Sequence, residues 1–533
     1  MLFENKEKPA IITNEHHWHE RVLFTGLFLI IAVMPLIVRG TMMEITTPMI
    51  SIYDSLNSGT VGELFTYYKY IFILIVTALL FILFLYRLFI LNNSLVKDSA
   101  QYMMLIFAVL LALSALYSNY SWVAISGVFN RHDGSLVHLA SIVLFLVAAN
   151  LSYSSTRLHA LAYGLAAVIV INTVIGTYYF YGGDILQFGF VQQLILPASI
   201  SADQLGEGAS LRATLNNPNY VSGLAGMSAL FFMFLAIFHK TPVHQRLFFV
   251  IALSTFALLF TSTSQSGSLT LFTGMAILGL LLAFNKTTRK KTYAIRFTGL
   301  IASFFILLFV YDHQNERVWS ETVGLFGIDH PFREQVEEPI TGEANLFGIL
   351  RGMFTGEEDE PVEVTEERVI ELPEFPEERS ALLSAGSGRL YIWSRTVPLI
   401  AEKPIFGHGM DTILYTFPQH EPEKLLGLSR MGTMLDKPHN IYFGLAYGAG
   451  IPALLAFLGG IAIVLGKGTR LLLKQPNTDM IPWLFLGASL MFTLGYLIQG
   501  IGNDPIIGTL PIFWILAGVG VALMNENKET PNR

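Results

Sequence analysis

The sequence predicts an all-α polytopic membrane protein of about twelve transmembrane helices, and three observations predict it. The composition is 53% hydrophobic and 14% charged, against roughly 25% charged residues in soluble domains. Twelve segments come close to the about 20 apolar residues that cross a bilayer. Lysine and arginine fall mostly on one side of the alternating loops, the pattern that orients a bundle.

The spans are expected at 22–38, 68–86, 102–118, 135–151, 159–181, 218–238, 247–263, 268–284, 297–312, 440–466, 480–500 and 506–524. Only a short polar turn separates the seventh from the eighth. The first apolar run is long and lacks a small-residue cleavage site, so it reads as a retained anchor. With an even number of spans both termini share a side, and that side carries 18 of the 33 basic residues. The opposite short loops and segment edges hold Arg39, Lys69, Arg131 and Arg212, and the remaining 11 basic residues lie in one long loop. The expected organisation is therefore a cytoplasmic segment 1–21, spans one to nine over 22–312, an extracytoplasmic loop 313–438, spans ten to twelve over 439–524, and a cytoplasmic tail 525–533.

The long loop holds 23 acidic residues, which brings its net charge to −12 and leaves +5 for the rest of a chain whose total is −7. Such a balance does not suit nucleic acid as a partner. The acidic excess concentrates at 334–378, which reads as a solvated, flexible insertion; flexible carboxylates make poor metal sites. The absence of cysteine excludes disulfides, thiolate metal sites and a cysteine nucleophile. No internal repeat is visible, which weighs against a transporter.

The second half of the loop, 388–438, reads as helical and site-bearing. Leu390, Trp393, Val397 and Ile400 form a stripe at helical spacing, and Lys403-Pro404 ends it. Asp411 is the expected N-cap of a second short helix ending near Pro418. Asp436-Lys437-Pro438-His439-Asn440 leads into span ten, so His439 is expected at the outer mouth of a membrane helix. Two further polar clusters fall on the same side: Arg212 through Tyr220 before span six, and Thr261 through Ser268 after span seven.

Fixed arginines at an outward membrane mouth suit a lipid-linked diphosphate. The guanidinium stays charged, and its planar fork meets phosphate oxygens at two points. Such contacts strengthen where a leaving diphosphate gathers charge. A neutral histidine can take the proton of an attacking hydroxyl. Arg212, Arg389 and His439 would form a minimal set for glycosyl transfer from a polyprenyl diphosphate, with no metal or cofactor required. Each has a plainer reading: Arg212 as an interfacial anchor, Arg389 as a helix-surface charge, His439 as a helix-end residue. Trp393 reads as packing before it reads as a sugar platform, and His408 as support for its glycine turn. His16-His17-Trp18-His19 reads as an interfacial segment.

The ordered motifs resemble the O-antigen ligase family. They are Gly388-Arg389-Leu390-Tyr391-Ile392-Trp393, Pro404-Ile405-Phe406-Gly407-His408-Gly409, Arg212-Ala213-Thr214 through Asn217-Pro218-Asn219-Tyr220, and His439-Asn440 followed after nine residues by Gly450. Ala453 stands where the family pattern has a second glycine, and Gln265 stands where relatives often carry arginine. The resemblance implies twelve spans, a large external loop and a fold similar to class C glycosyltransferases. It implies transfer of a glycan from undecaprenyl diphosphate to an acceptor hydroxyl, with inversion and without metal, at a bacterial plasma membrane. Carried over, Arg212 and Arg389 would hold the diphosphate, His439 would be the base and Asn440 would orient the site. Trp393, Asn219, Gln265, His408 and Lys437 complete the candidate substrate-binding residues. Implied partners are the lipid-linked donor, a glycan, cell-wall polymer or protein acceptor, and membrane lipids. The segment around His439 resembles members from Gram-positive bacteria.

The same superfamily includes O-antigen polymerases and protein O-oligosaccharyltransferases, which these motifs separate poorly. A metal-dependent oligosaccharyltransferase would need a close carboxylate pair in the first external loop, where Glu44, Asp54 and Glu63 are widely spaced. A polysaccharide flippase or transporter would place polar residues at mid-span, whereas the spans here are nearly free of charge.

Overall fold

The computed structural model describes residues 18–45, 59–198, 200, 211–215, 217–284, 289–333, 380–419, 421–428, 434–474 and 481–526. The acidic stretch 334–378, the residues His16 and His17, and Asp54 lie outside these.

The chain is an all-α polytopic membrane protein. Helices α1 (Trp18–Ala32), α2 (Tyr67–Phe89), α3 (Ser99–Tyr117), α4 (Ser121–Ser126), α5 (Ser135–Ala149) and α6 (Ser155–Phe180) form the first half. The short α7 (Gly189–Ile195) precedes α8 (Pro218–Phe238), α9 (Pro242–Ser262), α10 (Gln265–Phe284) and α11 (Lys290–Gln314). Then come α12 (Arg317–Ser320), α13 (Ala381–Glu402), α14 (Ile413–Thr416), α15 (Lys424–Gly427), α16 (Ile441–Ala449), α17 (Ile451–Lys474), α18 (Ile481–Gln499) and α19 (Leu510–Glu526).

Among the described residues, ten helices are long and apolar enough to cross a membrane. The expected fourth and twelfth spans are the shorter apolar helices Ser135–Ala149 and Leu510–Asn525. The expected tenth span is not continuous. It breaks at Gly450, whose φ is +88°, leaving α16 and α17 as separate helices. A small antiparallel hairpin, β1 (Thr41–Ile45) with β2 (Gly59–Glu63), follows α1; nothing in the apolar pattern announced it.

The α8 span is the axis of the bundle, with its whole apolar window buried. It packs on α9, α18 and α10. Small residues let backbones approach there, as is usual between membrane helices: a Cβ on Gly226 would sit 2.8 Å from the Gly267 carbonyl oxygen. The Ser222 hydroxyl accepts from Gly267 N–H at 2.8 Å and donates to Ser264 O at 3.2 Å. This fixes the start of α10 against the start of α8.

The break at Gly450 is stitched to the external segment by backbone bonds. His408 N–H donates to Tyr447 O at 2.8 Å, Gly409 N–H to Gly448 O at 2.9 Å, and Ile451 N–H to Pro404 O at 2.8 Å. A Cβ on Gly450 would meet Ile405 O at 2.1 Å, so only glycine fits.

The α13 helix begins at Ala381, before the expected start, and its buried face is shifted from the one the periodicity suggests, with Trp393 and Ile400 of that stripe packed at its edge. Tyr391, Ile392 and Leu399 form a small core with Ile413, Phe417, Leu435 and Tyr447, while Val397 is 50% exposed. The aromatic and β-branched partners on α14 and α16 select that face. Asp411 does not cap α14 either. The N-cap position is Thr412, and Asp411 is held in a left-handed conformation, φ +62°, by its bonds to Arg131 and to Val128 N–H.

At the bundle's other end, where most lysines and arginines lie, two buried imidazoles meet. His159 Nε2 and His239 Nε2 are 3.2 Å apart. His159 Nδ1 faces Ser155 O at 2.7 Å and so carries its proton there, whereas His239 Nδ1 accepts from Thr241 N–H at 3.1 Å. His239 Nε2–H therefore donates to His159 Nε2. Burial, then the neighbouring His159 and His244 and the Arg296 guanidinium, push the His239 imidazole down to about 4. The folded state then binds fewer protons than the unfolded state below the ordinary value of 6.5. Stability is expected to be flat above that pH and to fall as pH drops from there toward 4. Thermal unfolding in detergent at pH 7 and pH 5 checks this, with His239→Gln expected to shrink the difference.

Candidate active site

The loops after α3, α6, α9, α11 and α18 emerge at one end of the bundle, opposite the lysine- and arginine-rich end. Every sequence-expected site residue lies there.

His439 sits just before α16 in a left-handed conformation, φ +52°, an uncommon state for a non-glycine residue and one that tends to accompany function. Its Nδ1 lies 3.1 Å from Asp504 Oδ2, with the carboxylate side chain 7% exposed and the imidazole 32% exposed. Nδ1 is thus the ring nitrogen turned to the carboxylate. Burial alone would raise the Asp504 carboxyl, but His439, Lys437 and Arg131 outweigh it and hold the group below the usual carboxylate range. Arg389, on α13, is lowered by burial and supported in its charged form by the same Asp504. One carboxylate therefore links the two residues that the sequence reading paired.

The backbone that carries His439 is held from several sides. Asn440 caps α16, its Oδ1 accepting from Tyr442 N–H at 2.9 Å and Phe443 N–H at 3.0 Å. Its amide donates to Ile501 O at 2.9 Å. Trp393 Nε1 donates to Pro438 O at 2.8 Å, and its ring packs on Phe443. Lys437 donates to the Tyr220 hydroxyl at 2.6 Å. Its ammonium is raised by Tyr220, Asp436 and Asp504, which together overcome the burial that lowers it. Arg131, from the loop after α4, bonds Asp411, the Asp436 carboxylate and, at 2.9 Å, the Asp436 carbonyl. Burial raises the Asp436 carboxyl, yet Arg131, Lys437 and His439 leave it net lowered. A cavity beside this network is lined by four carboxylates, Asp133, Asp411, Asp436 and Asp504, together with Arg131 and Lys437.

Arg212 lies elsewhere on this end. Its guanidinium stacks 5.1 Å over the Tyr179 ring and lines a cavity of about 240 Å³ with Tyr179, Phe180, Pro218, Val221, Thr261, Ser262, Thr263, Asn315 and Arg317. The first turn of α8 separates the two cavities: Pro218 lines this one, while Tyr220 reaches Lys437. Asn219 accepts from the Ser264 hydroxyl at 2.5 Å, and Gln265 opens α10 beside it. His408 is buried away from both cavities, its Nε2 donating to Leu399 O at 2.8 Å and its ring stacked on Tyr447. His408 thus takes the supporting role that its glycine neighbours suggest, and Trp393 and Asn440 act here on the backbone that holds His439.

The sequence reading passed over Asp504, Arg131, Asp436 and Tyr220. Two signals were available. Asp504, in Asn503-Asp504-Pro505, is the lone carboxylate between the last two spans, and Arg131 is one of only four basic residues in the short loops and segment edges of its side.

Residues 247–458 match the family model described as O-antigen ligase. The matched stretch contains Gln265, Arg317, Arg389, Trp393, His408, Lys437, His439 and Asn440, and ends before Asp504. The curated proteins include no match to this chain.

Proposed function

We propose, from the O-antigen ligase family assignment that the match over residues 247–458 supports, that this multi-pass membrane glycan transferase moves a glycan from undecaprenyl diphosphate to an acceptor hydroxyl. The reaction face is the outer side of a bacterial plasma membrane, and both termini are cytoplasmic. The observation that carries this reading is the His439–Asp504 contact at 3.1 Å, with Arg389 in the field of the same carboxylate.

In the proposed step the acceptor oxygen attacks the anomeric carbon of the donor sugar, and the bond from that carbon to the diphosphate oxygen breaks. The diphosphate leaves with the electron pair, and the acceptor proton passes to His439 Nε2. Asp504 holds the imidazole by Nδ1 and stabilises the imidazolium that forms. Arg212 and Arg389 meet the charge that grows on the leaving diphosphate. Attack opposite the leaving group inverts the anomeric centre. Lys437 and Tyr220 hold the start of α8 beside the His439 segment, and Trp393 and Asn440 fix its backbone.

The test is transfer by purified protein in detergent, with EDTA present, from a radiolabelled undecaprenyl-diphosphate glycan to extracted envelope acceptors. Transfer that persists in EDTA and falls at least tenfold in Arg389→Ala is the expected result, and the labelled product identifies ligase, polymerase or protein glycosylation chemistry. Movement of the donor across reconstituted vesicles without any transfer would replace this reading with that of a transporter.

A further inference from the structure

The two cavities at the active end differ in charge. Four carboxylates line the one beside the His439 network and outnumber its two cations, Arg131 and Lys437, the first of which is already paired with Asp411 and Asp436, so a diphosphate entering it would meet a net acidic wall. The other is lined by two guanidiniums, Arg212 and Arg317, and among the described residues no carboxylate lines it. An anion is attracted to the second cavity and repelled by the carboxylates of the first.

Arg317 is placed for such a role by the chain itself. The α11 helix ends at Asn315, whose side-chain oxygen accepts from Arg317 N–H at 3.0 Å. That turn brings Asn315 and Arg317 to the rim of the cavity. The Arg317 guanidinium is 67% exposed and pairs with Glu321 one helical turn on, at 3.1 Å. The Glu321 side chain is 12% exposed and stays in place, so the pair is open on the arginine side alone, and the solvated guanidinium is free to reorient toward a ligand.

The opposite wall carries a second signal. Thr263 has φ +44° and ψ +51°. A β-branched residue in the left-handed region is a genuine outlier, and outliers of that kind cluster at ligand clamps. The conformation closes α9 directly at the cavity, where Thr261 and Thr263 also form part of the lining. The volume of about 240 Å³ equals roughly eight waters at about 30 Å³ each, which suits a diphosphate head group.

We infer that Arg317 is the second guanidinium of a diphosphate seat shared with Arg212, and that the donor's diphosphate occupies this cavity while its sugar extends past the first turn of α8 toward His439. This inference rests on the glycan-transferase reading. It adds a phosphate-binding residue that lies after α11, outside the four motifs that carry the sequence resemblance. Arg389, in the field of Asp504, then meets the leaving diphosphate oxygen from the sugar side of the scissile bond.

Binding separates this inference from the reading it rests on. Affinities of the purified protein in detergent would be measured for undecaprenyl diphosphate, undecaprenyl monophosphate and phosphatidylglycerol. Wild type, Arg317→Gln, Arg317→Lys and Arg212→Gln would be compared. The expected result is a loss of roughly 10- to 100-fold in diphosphate affinity for Arg317→Gln and for Arg212→Gln. A smaller loss is expected for the monophosphate, with partial rescue in Arg317→Lys. Thermal unfolding should be unchanged in Arg317→Gln, because the side chain is exposed. Diphosphate binding that weakens in Arg212→Gln and not in Arg317→Gln overturns the inference and leaves the proposed function standing. A wild type that binds no diphosphate overturns both. Equal binding of phosphatidylglycerol, with equal losses in the variants, identifies a membrane-lipid headgroup site and overturns the assignment to the donor.

Discussion

Replacing His439 by alanine is expected to lower the turnover of glycan transfer by roughly 10²–10⁴-fold, the range that a positioned general base contributes. Donor affinity should change little, since the imidazole is proposed to act on the acceptor proton. Asp504→Asn should produce a smaller loss through the same route. The carboxylate at 3.1 Å from Nδ1 orients the ring and offsets the charge it gains as the acceptor proton arrives, and an amide can do only the first. Single-turnover transfer with both variants and their double mutant provides the check. The double mutant should be no slower than His439→Ala alone, because two residues that act as a unit are not additive. Independent, multiplying losses would show that Asp504 serves some other purpose.

Arg131→Ala is expected to destabilise the fold by about 3–5 kcal/mol, the cost of removing one partner from a buried ion pair. The guanidinium side chain is 8% exposed, and its partners Asp411 and Asp436 are 4% and 33% exposed. Without it, two carboxylates face each other beside Asp133 and Asp504 in one cavity. The burden should therefore be electrostatic. Arg131→Met combined with Asp411→Asn and Asp436→Asn should recover much of the loss, because the charges are then removed together. Thermal unfolding in detergent distinguishes this from a simple packing defect, which the triple variant would not repair.

The bundle was legible because crossing a bilayer demands length and apolarity, and both are written locally. All twelve expected segments fall on helices, the tenth on two, and among the described residues ten helices are long enough to span. What was not legible depends on contacts distant in sequence. Gly450 looked like a motif glycine within one span, yet it ends a helix because Pro404 and Ile405 pack against it. Asp411 had the residue type and position of an N-cap, but an arginine 280 positions earlier claims its carboxylate. The stripe on α13 was read from spacing alone, and the partners on α14 and α16 shifted the buried face, keeping Trp393 and Ile400 against it and leaving Val397 exposed. In the candidate site, His439 and Arg389 were visible as charged or titratable residues at a membrane mouth. Asp504 was not singled out, because nothing local to 500–509 says that the turn before the last helix lies against the start of α16. Ile441 N–H bonded to Gly500 O at 2.8 Å makes that juxtaposition.

The stitching around Gly450 bears on the order in which the protein is made. The carbonyls of Tyr447 and Gly448 at the end of α16 accept from His408 and Gly409, which are synthesised some 40 residues earlier, on the far side of α13 from the ninth span. In a low-dielectric surround an unsatisfied carbonyl is costly. The half-helix α16 therefore has no settled place until the 404–409 segment has folded back against it. Folding of the long loop and settling of the tenth span are thus one event in biogenesis, and a chain whose 404–409 segment fails to fold back would hold α17 without α16 in place.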